Sequence, residues 1–214
     1  MKMIKTVIFD FDGTIANTLP YTFRNLFELL KEEKVNINEQ KMIKDVRSKN
    51  FQELMKEWKI SWVRLPFILG KIKQIQKDLF NEIEKIKFFP GIKKLLVELK
   101  RKNYILAILS SNLDNNIIKF LKLNNLDYFD YIHCGSEILG KSVAISNFIK
   151  ENGWKKEESI YVGDELRDLE ACQKSGVKMI GVSWGLNTTE ILKKRGADFI
   201  ASKPSKILKI INKN

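Results

Sequence analysis

Met3-Ile4-Lys5-Thr6-Val7-Ile8-Phe9 runs directly into Asp10-Phe11-Asp12-Gly13-Thr14, and this junction decides the fold. The apolar run reads as a buried strand that breaks into a loop at the aspartates. Residues two apart on an extended chain share a face. Asp10 and Asp12 therefore aim their carboxylates at one place, while Phe11 turns back toward the core. Two anions held close repel unless a proton or cation lies between them, and a hard divalent ion such as Mg²⁺ with oxygen ligands relieves that repulsion most simply. Gly13 permits a sharp turn and a close approach of backbone to ligand. The same residue types also suit a capped, solvent-facing turn, so these five residues alone leave both readings open.

Working outward, Ile105-Leu106-Ala107-Ile108-Leu109 reads as a second buried strand, ending in Ser110-Ser111-Asn112. Ile160-Tyr161-Val162 reads as a third, ending in Gly163-Asp164-Glu165-Leu166-Arg167-Asp168. If Asp164 opens a helix, Asp168 lies on the same side of its first turn. Gly140-Lys141 opens another helical pattern. Open parallel sheets place ligands beyond the carboxyl ends of their strands, which is where these polar groups gather. After Pro90 the pattern alternates. Helices are marked by Ile92, Leu95, Leu96 and Leu99, then by Ile117, Phe120 and Leu121, then by Ile145, Phe148 and Ile149. Further helices are expected through Leu169 and Cys172, near Thr188–Lys194 and from Ser205, and further short strands at Tyr131–His133, Met179–Val182 and Asp198–Ile200. Such alternation predicts an α/β fold with a doubly wound parallel sheet.

From about Thr18 to Lys87 the pattern is helical only. Phe23, Leu26, Phe27 and Leu30 keep helical spacing, as do Ile68, Ile72, Ile75 and Leu79, with Pro66 near a helix start. A block inserted after the first strand needs a small core of its own, to which Trp58, Trp62 and Phe67 are expected to contribute.

The 214 residues suffice for one large domain or a core plus a small insertion, and an apolar share of 44% with 30% charged residues is ordinary for a soluble globular chain. No apolar stretch is long enough to span a membrane. Met1 lies so close to the first strand that no cleavable signal segment is expected. Cys134 and Cys172 are the only cysteines, which fits a reducing cytoplasm and offers no metal-ligand spacing. The net charge of +12 comes from lysines spread along the chain, without an arginine-rich run, so a specific nucleic-acid footprint is not expected; such a surface does attract anionic substrates.

The chain resembles the haloacid dehalogenase superfamily phosphatases over essentially its whole length, closest in style to phosphoglycolate-phosphatase-like members. Phe9-Asp10-Phe11-Asp12-Gly13-Thr14 matches the first motif, Ser111-Asn112 the second with Ser110 as a register alternative, Lys141 the third, and Gly163-Asp164 through Asp168 the fourth. Phe89-Pro90-Gly91 resembles the family's return from cap to core. The resemblance implies an α/β core of residues 1–16 and 88–214 with a Rossmann-like sheet, and a mobile helical cap domain of residues 17–87. It further implies Mg²⁺-dependent hydrolysis of a small phosphorylated metabolite through an aspartyl-phosphate. Asp10 would be the nucleophile and Asp12 the acid and base, with Ser111 and Lys141 completing the catalytic set. Gly13, Thr14, Ser111, Asn112 and Lys141 would bind phosphate; Asp10, the backbone carbonyl of Asp12, and Asp164 would hold the metal, with Asp168 supporting the metal and Lys141 from behind these ligands or reaching the metal through water.

Bland alternatives stand beside these roles: Asp164 as a helix cap, Asp168 as an ordinary first-turn acid, Ser111 as a cap, Lys141 as a surface lysine. His133 reads as a packed strand residue and Trp184 as rim packing. Three positions depart from the family pattern. Asn17 stands where an acid is common, Leu113 where a base is common, and Ser142-Val143 follows Lys141 where proline is frequent. A dehalogenase would need neither metal nor a proton donor such as Asp12; a phosphomutase would differ in cap contacts; a non-catalytic module would tend to lose these acids. The physiological substrate, the ranking of Arg24, Lys49 and Trp58, and the oligomeric state leave no trace in the sequence.

Overall fold

A computed structural model describes residues 3–135 and 140–213, so Met1, Lys2, residues 136–139 and Asn214 of the expected core lie outside the described residues. Strand β1 (Thr6–Phe9) is followed by helices α1 (Leu19–Glu32), α2 (Glu39–Ser48), α3 (Phe51–Glu57) and α4 (Leu65–Glu82). The chain then alternates: α5 (Ile92–Arg101), β2 (Ile105–Leu109), α6 (Asp114–Leu123), β3 (Tyr131–His133), α7 (Lys141–Glu151), β4 (Ser159–Gly163), α8 (Leu166–Ser175), β5 (Lys178–Val182), α9 (Thr189–Lys194), β6 (Phe199–Ala201) and α10 (Pro204–Ile211). The six strands pair in the order β3-β2-β1-β4-β5-β6, and every pairing is parallel. The order reverses between β1 and β4, where an open parallel sheet leaves a crevice beyond its carboxyl edge. None of the described helices is long and apolar enough to cross a membrane.

Strand alternation builds two apolar layers. Val7, Phe9, Leu106, Ile108, Ile160, Val162, Ile180 and Val182 face one side, where α5, α6 and α10 bring Leu95, Leu96, Leu99, Ile117, Phe120 and Ile207. Ile8, Ala107, Leu109, Tyr161 and Met179 face the other, covered by Ile145, Phe148, Leu169, Cys172 and Leu192 of α7, α8 and α9. Burial of both faces explains why the strands read as unbroken apolar runs. Phe11 does turn into this core, edge-on to Phe120 at 5.1 Å between ring centroids.

The helical block leaves and rejoins the sheet through two adjacent segments. The Asn17 amide donates to the Lys87 carbonyl at 2.8 Å, and the Phe89 amide to the Ile15 carbonyl at 3.0 Å. Two small clusters form its interior, one of Leu29, Met55 and Ile68, the other of Leu30, Met42 and Val46 with Phe23, Leu26, Phe27 and Trp58 against it. The expected core of the block needs correcting in one respect. Trp62 and Phe67 stay about half exposed where α4 begins, with the Arg64 guanidinium over the Phe67 ring. Farther along α4, Ile75 and Leu79 pack into the main core rather than the block's own.

Candidate functional site

Three neighbouring strands deliver the polar groups to one edge. Asp10 follows β1, Ser110 to Asn112 follow β2, and Gly163-Asp164 ends β4. The Asp10 amide donates to the Val162 carbonyl at 2.8 Å, which holds the first aspartate beside the end of β4. Helix α8 then opens at Glu165 and not at Asp164, because Glu165 and Asp168 form a reciprocal capping box. Asp164 is thereby left free of capping duty, fully buried beside the end of β4.

Lys141, the first residue of α7, is 2% exposed and pairs with two buried carboxylates: Asp10 Oδ1 at 3.2 Å and Asp168 Oδ1 more closely still. Asp164 Oδ1 accepts from the Thr14 hydroxyl at 2.9 Å and its Oδ2 from the Leu186 amide at 2.7 Å. Oxygens of Asp10, Asp164 and Asp168 all lie within 4.8 Å of one another. One ammonium does not balance three buried carboxylates, so protons or a cation must make up the deficit. Desolvation pushes Asp10 up to about 8, against the pull of the Lys141 ammonium and with the push of Asp168. Asp164 is driven well above the ordinary carboxylate range by burial and then by the charges of Glu165, Asp10 and Asp168. Lys141 loses by burial but gains more from Asp10 and Asp168, so it stays charged. A set of hard oxygen donors with this surplus of negative charge fits a divalent cation such as Mg²⁺.

The Asp12 carboxylate is held apart from this trio. Asn112 Nδ2 donates to both of its oxygens, at 3.1 and 3.0 Å, while Asn112 Oδ1 accepts from the Leu113 amide and from Asn116 Nδ2. Desolvation raises Asp12, and the Asn112 hydrogen bond moderates the rise. Asp10, Asp12, Ser111, Asn112 and Lys141 all line a cavity of about 420 Å³ between the sheet edge and the helical block. Ser110 is buried, its hydroxyl accepting from the Asn112 amide, so Ser111 is the serine that faces the cavity. Gly13 and Thr14 do not line it, and their amides are turned inward to Ala16 and Phe11. They support the site otherwise: Thr14 holds Asp164, and a Cβ at Gly13, whose φ is +70°, would collide with the Asp164 carboxylate.

Among the residues the sequence left unranked, Lys49 lines the cavity, Arg24 pairs with Glu82 on the surface, and Trp58 Nε1 donates to Asp45. His133 packs against Phe148, and Trp184 donates to the Thr14 carbonyl at the rim. Sequence reasoning passed over Arg167, Glu165 and Asn187. All three line the cavity, with Arg167 reaching both Ser111 Oγ at 3.4 Å and Glu165 at 3.1 Å. The only signal for Arg167 was its place inside the acidic fourth motif, and Asn187 carried none.

Residues 7–182 match the family described as Haloacid dehalogenase-like hydrolase. The chain is 29% identical to a phosphoglycolate phosphatase of Synechococcus elongatus over 97% of both proteins. It is 24% identical to the pyrophosphatase PpaX of Bacillus cereus, covering 98% of this chain and 97% of that one. Among solved structures, a predicted phosphatase from Clostridium acetobutylicum shares the fold with a TM-score of 0.81 at 21% identity, covering 100% of both chains.

Proposed function

The chain belongs to the haloacid dehalogenase-like hydrolases as a phosphatase, and from that premise we propose that it hydrolyses a small phosphate monoester with Mg²⁺ bound, through a phosphorylated Asp10. The observation that carries this reading is the opening of Asp10 and Asp12 onto one cavity, with Asp10 backed by Lys141, Asp164 and Asp168. In the proposal an Asp10 carboxylate oxygen attacks phosphorus, and the bond from phosphorus to the substrate oxygen breaks. The Asp12 carboxyl gives its proton to that departing oxygen. Asp12 then takes a proton from water as the water oxygen attacks phosphorus, the bond to Asp10 breaks, and inorganic phosphate leaves. The raised affinity of Asp12 for its proton suits a group that must be an acid first and a base second.

Lys141 screens the anionic nucleophile, and Ser111 offers a hydroxyl to a phosphoryl oxygen at the cavity wall. Asp10, Asp164 and Asp168, with the Asp12 backbone carbonyl, would hold Mg²⁺. The ion would offset charge so that one anion can approach another. Residues 17–87 would act as the cap over a core of residues 1–16 and 88–214. The relatives favour phosphoglycolate-like substrates first and pyrophosphate second, and the lysine-rich surface suits either anion.

Steady-state rates on an aryl phosphate, with Mg²⁺ and after exhaustive chelation, test the class. A panel including 2-phosphoglycolate, pyrophosphate and sugar phosphates then tests the substrate, and product analysis separates hydrolysis from transfer to a sugar hydroxyl. Asp10→Asn is expected to fold and to lose several orders of magnitude in kcat. Retention of about a tenth of the rate removes Asp10 from the nucleophile's role. Full activity in chelated, metal-free protein overturns the Mg²⁺ assignment.

A further inference from the structure

Asn187 is 2% exposed, and three parts of the molecule meet on it. Its Oδ1 accepts from the amide of Leu166 at 2.6 Å, the first residue of the helix that carries Asp168. Its own amide donates to the Asp164 carbonyl at 3.1 Å. Its Nδ2 donates across to the helical block, to the Val46 carbonyl in α2, at 2.9 Å. The residues beside it share these duties. The Leu186 amide holds Asp164 Oδ2, and the Thr188 amide donates to the Arg47 carbonyl at 2.9 Å. Gly185 lies so close to Asp164 that a Cβ there would overlap it, and its carbonyl accepts from the Arg47 guanidinium at 3.3 Å.

The last carbonyls of a helix have no partners within it. Val46 and Arg47 stand in the last turn of α2, and the loop after β5 supplies their donors from the other side of the crevice. Withdrawal of α2 would take the Val46 acceptor from Asn187 Nδ2 and leave that amide to water. Displacement of Asp164 would move the same loop from beneath α2.

We propose that Asn187 is a positioning residue through which docking of α2 and divalent-cation binding at Asp10, Asp164 and Asp168 promote each other. The proposal rests on the reading of those carboxylates as cation ligands. A cation fixes Asp164, Asp164 fixes the loop, and the loop presents two donors to α2. By reciprocity the docked helix tightens the cation to the same degree.

Amide hydrogen exchange of the full chain, with Mg²⁺ as the only added ligand, reads the coupling directly. Calorimetry on the same samples reads the affinity. In the wild type, Mg²⁺ is expected to slow exchange of the α2 amides and of Thr188 by roughly 5-fold or more, the lower end of ordinary coupling. In Asn187→Ala the cation is expected to bind with an affinity reduced by about the same factor. The α2 amides should then exchange equally fast with and without it.

A merely structural role would speed exchange in both conditions, leave the Mg²⁺-dependent ratio at its wild-type value, and so overturn the proposal. If Asn187→Ala does not fold, Arg47→Ala removes only the contact to the Gly185 carbonyl. There a reduced ratio supports the coupling and an unchanged one overturns it. Wild-type protein that binds Mg²⁺ without slowing α2 overturns the coupling alone. Wild-type protein that binds no Mg²⁺ overturns the cation reading as well.

Discussion

Asp10 and Asp12 are two residues apart and differ in how they are held. Asp10 leans on an ammonium; both oxygens of Asp12 accept from one amide nitrogen. Asn112 cannot reverse that amide without losing the Leu113 and Asn116 donors to its oxygen, so its orientation is locked. For Asp12→Asn we expect a loss of the general acid–base factor, roughly 10²–10⁴-fold in kcat. The loss in the phosphorylation step should be smaller for aryl than for alkyl phosphates, since an aryl oxide needs less help to leave. Single-turnover phosphorylation measures this, and equal losses on both substrates would remove Asp12 from the acid's role.

At the scale of the element, α2 is organised around a buried charge. Asp45 is 5% exposed and accepts from Lys41 at 2.7 Å, Lys49 at 2.9 Å and Trp58 Nε1 at 3.2 Å. Burial alone would raise its pKa, but these donors outweigh it and hold the carboxyl at about 2. A depressed carboxylate stabilises the fold above its unfolded value, near 3.8, and the contribution fades as pH falls through about 2. Asp45→Asn should therefore cost about 1–2 kcal/mol at pH 7, discounted because both lysines are partly solvated. Urea unfolding across pH should show the gap between wild type and variant closing toward pH 2. A gap of constant size would refute the ion-pair account.

At the scale of the molecule, buried carboxylates work in the opposite sense. Asp10 is raised from 3.8 to about 8, so the stability that goes with its neutral form is complete below pH 3.8 and lost as pH rises through about 8. Chelated protein should melt at progressively lower temperature between pH 5 and pH 8.5, more steeply than Asp10→Asn. Mg²⁺ should recover most at the alkaline end, because it binds the ionised form. Melting curves with parallel pH slopes for the two proteins would contradict this. The helical block is expected to gate the cavity. Glu53 and Arg195 pair across the crevice, so a reducible cross-link between Glu53→Cys and Arg195→Cys should slow turnover and release it on reduction. Unchanged turnover in the linked protein would exclude gating.

Much of this architecture was legible in the chain itself. Local patterns prescribe local structure: unbroken apolar runs become strands buried on both faces, and Asp10, Asp12, Lys141, Asp164 and Asp168 stand where such runs end or helices begin. Their convergence follows from the parallel order of the sheet, which places every carboxyl end on one edge. What periodicity cannot say is which apolar face finds a partner. Ile75 and Leu79 met the main core, whereas Trp62 and Phe67, of the same character, stay about half exposed, Phe67 beneath the Arg64 and Lys71 cations. Nor can it say which polar side chain closes a long-range bond. Thr14 is read from the sequence as a phosphate ligand, yet its hydroxyl goes to Asp164, 150 positions away; Asn187 joins Val46 across 141 positions. Those assignments arise only when the folded chain buries a donor or acceptor and leaves it one partner within reach, a condition of tertiary geometry that no short stretch of sequence contains.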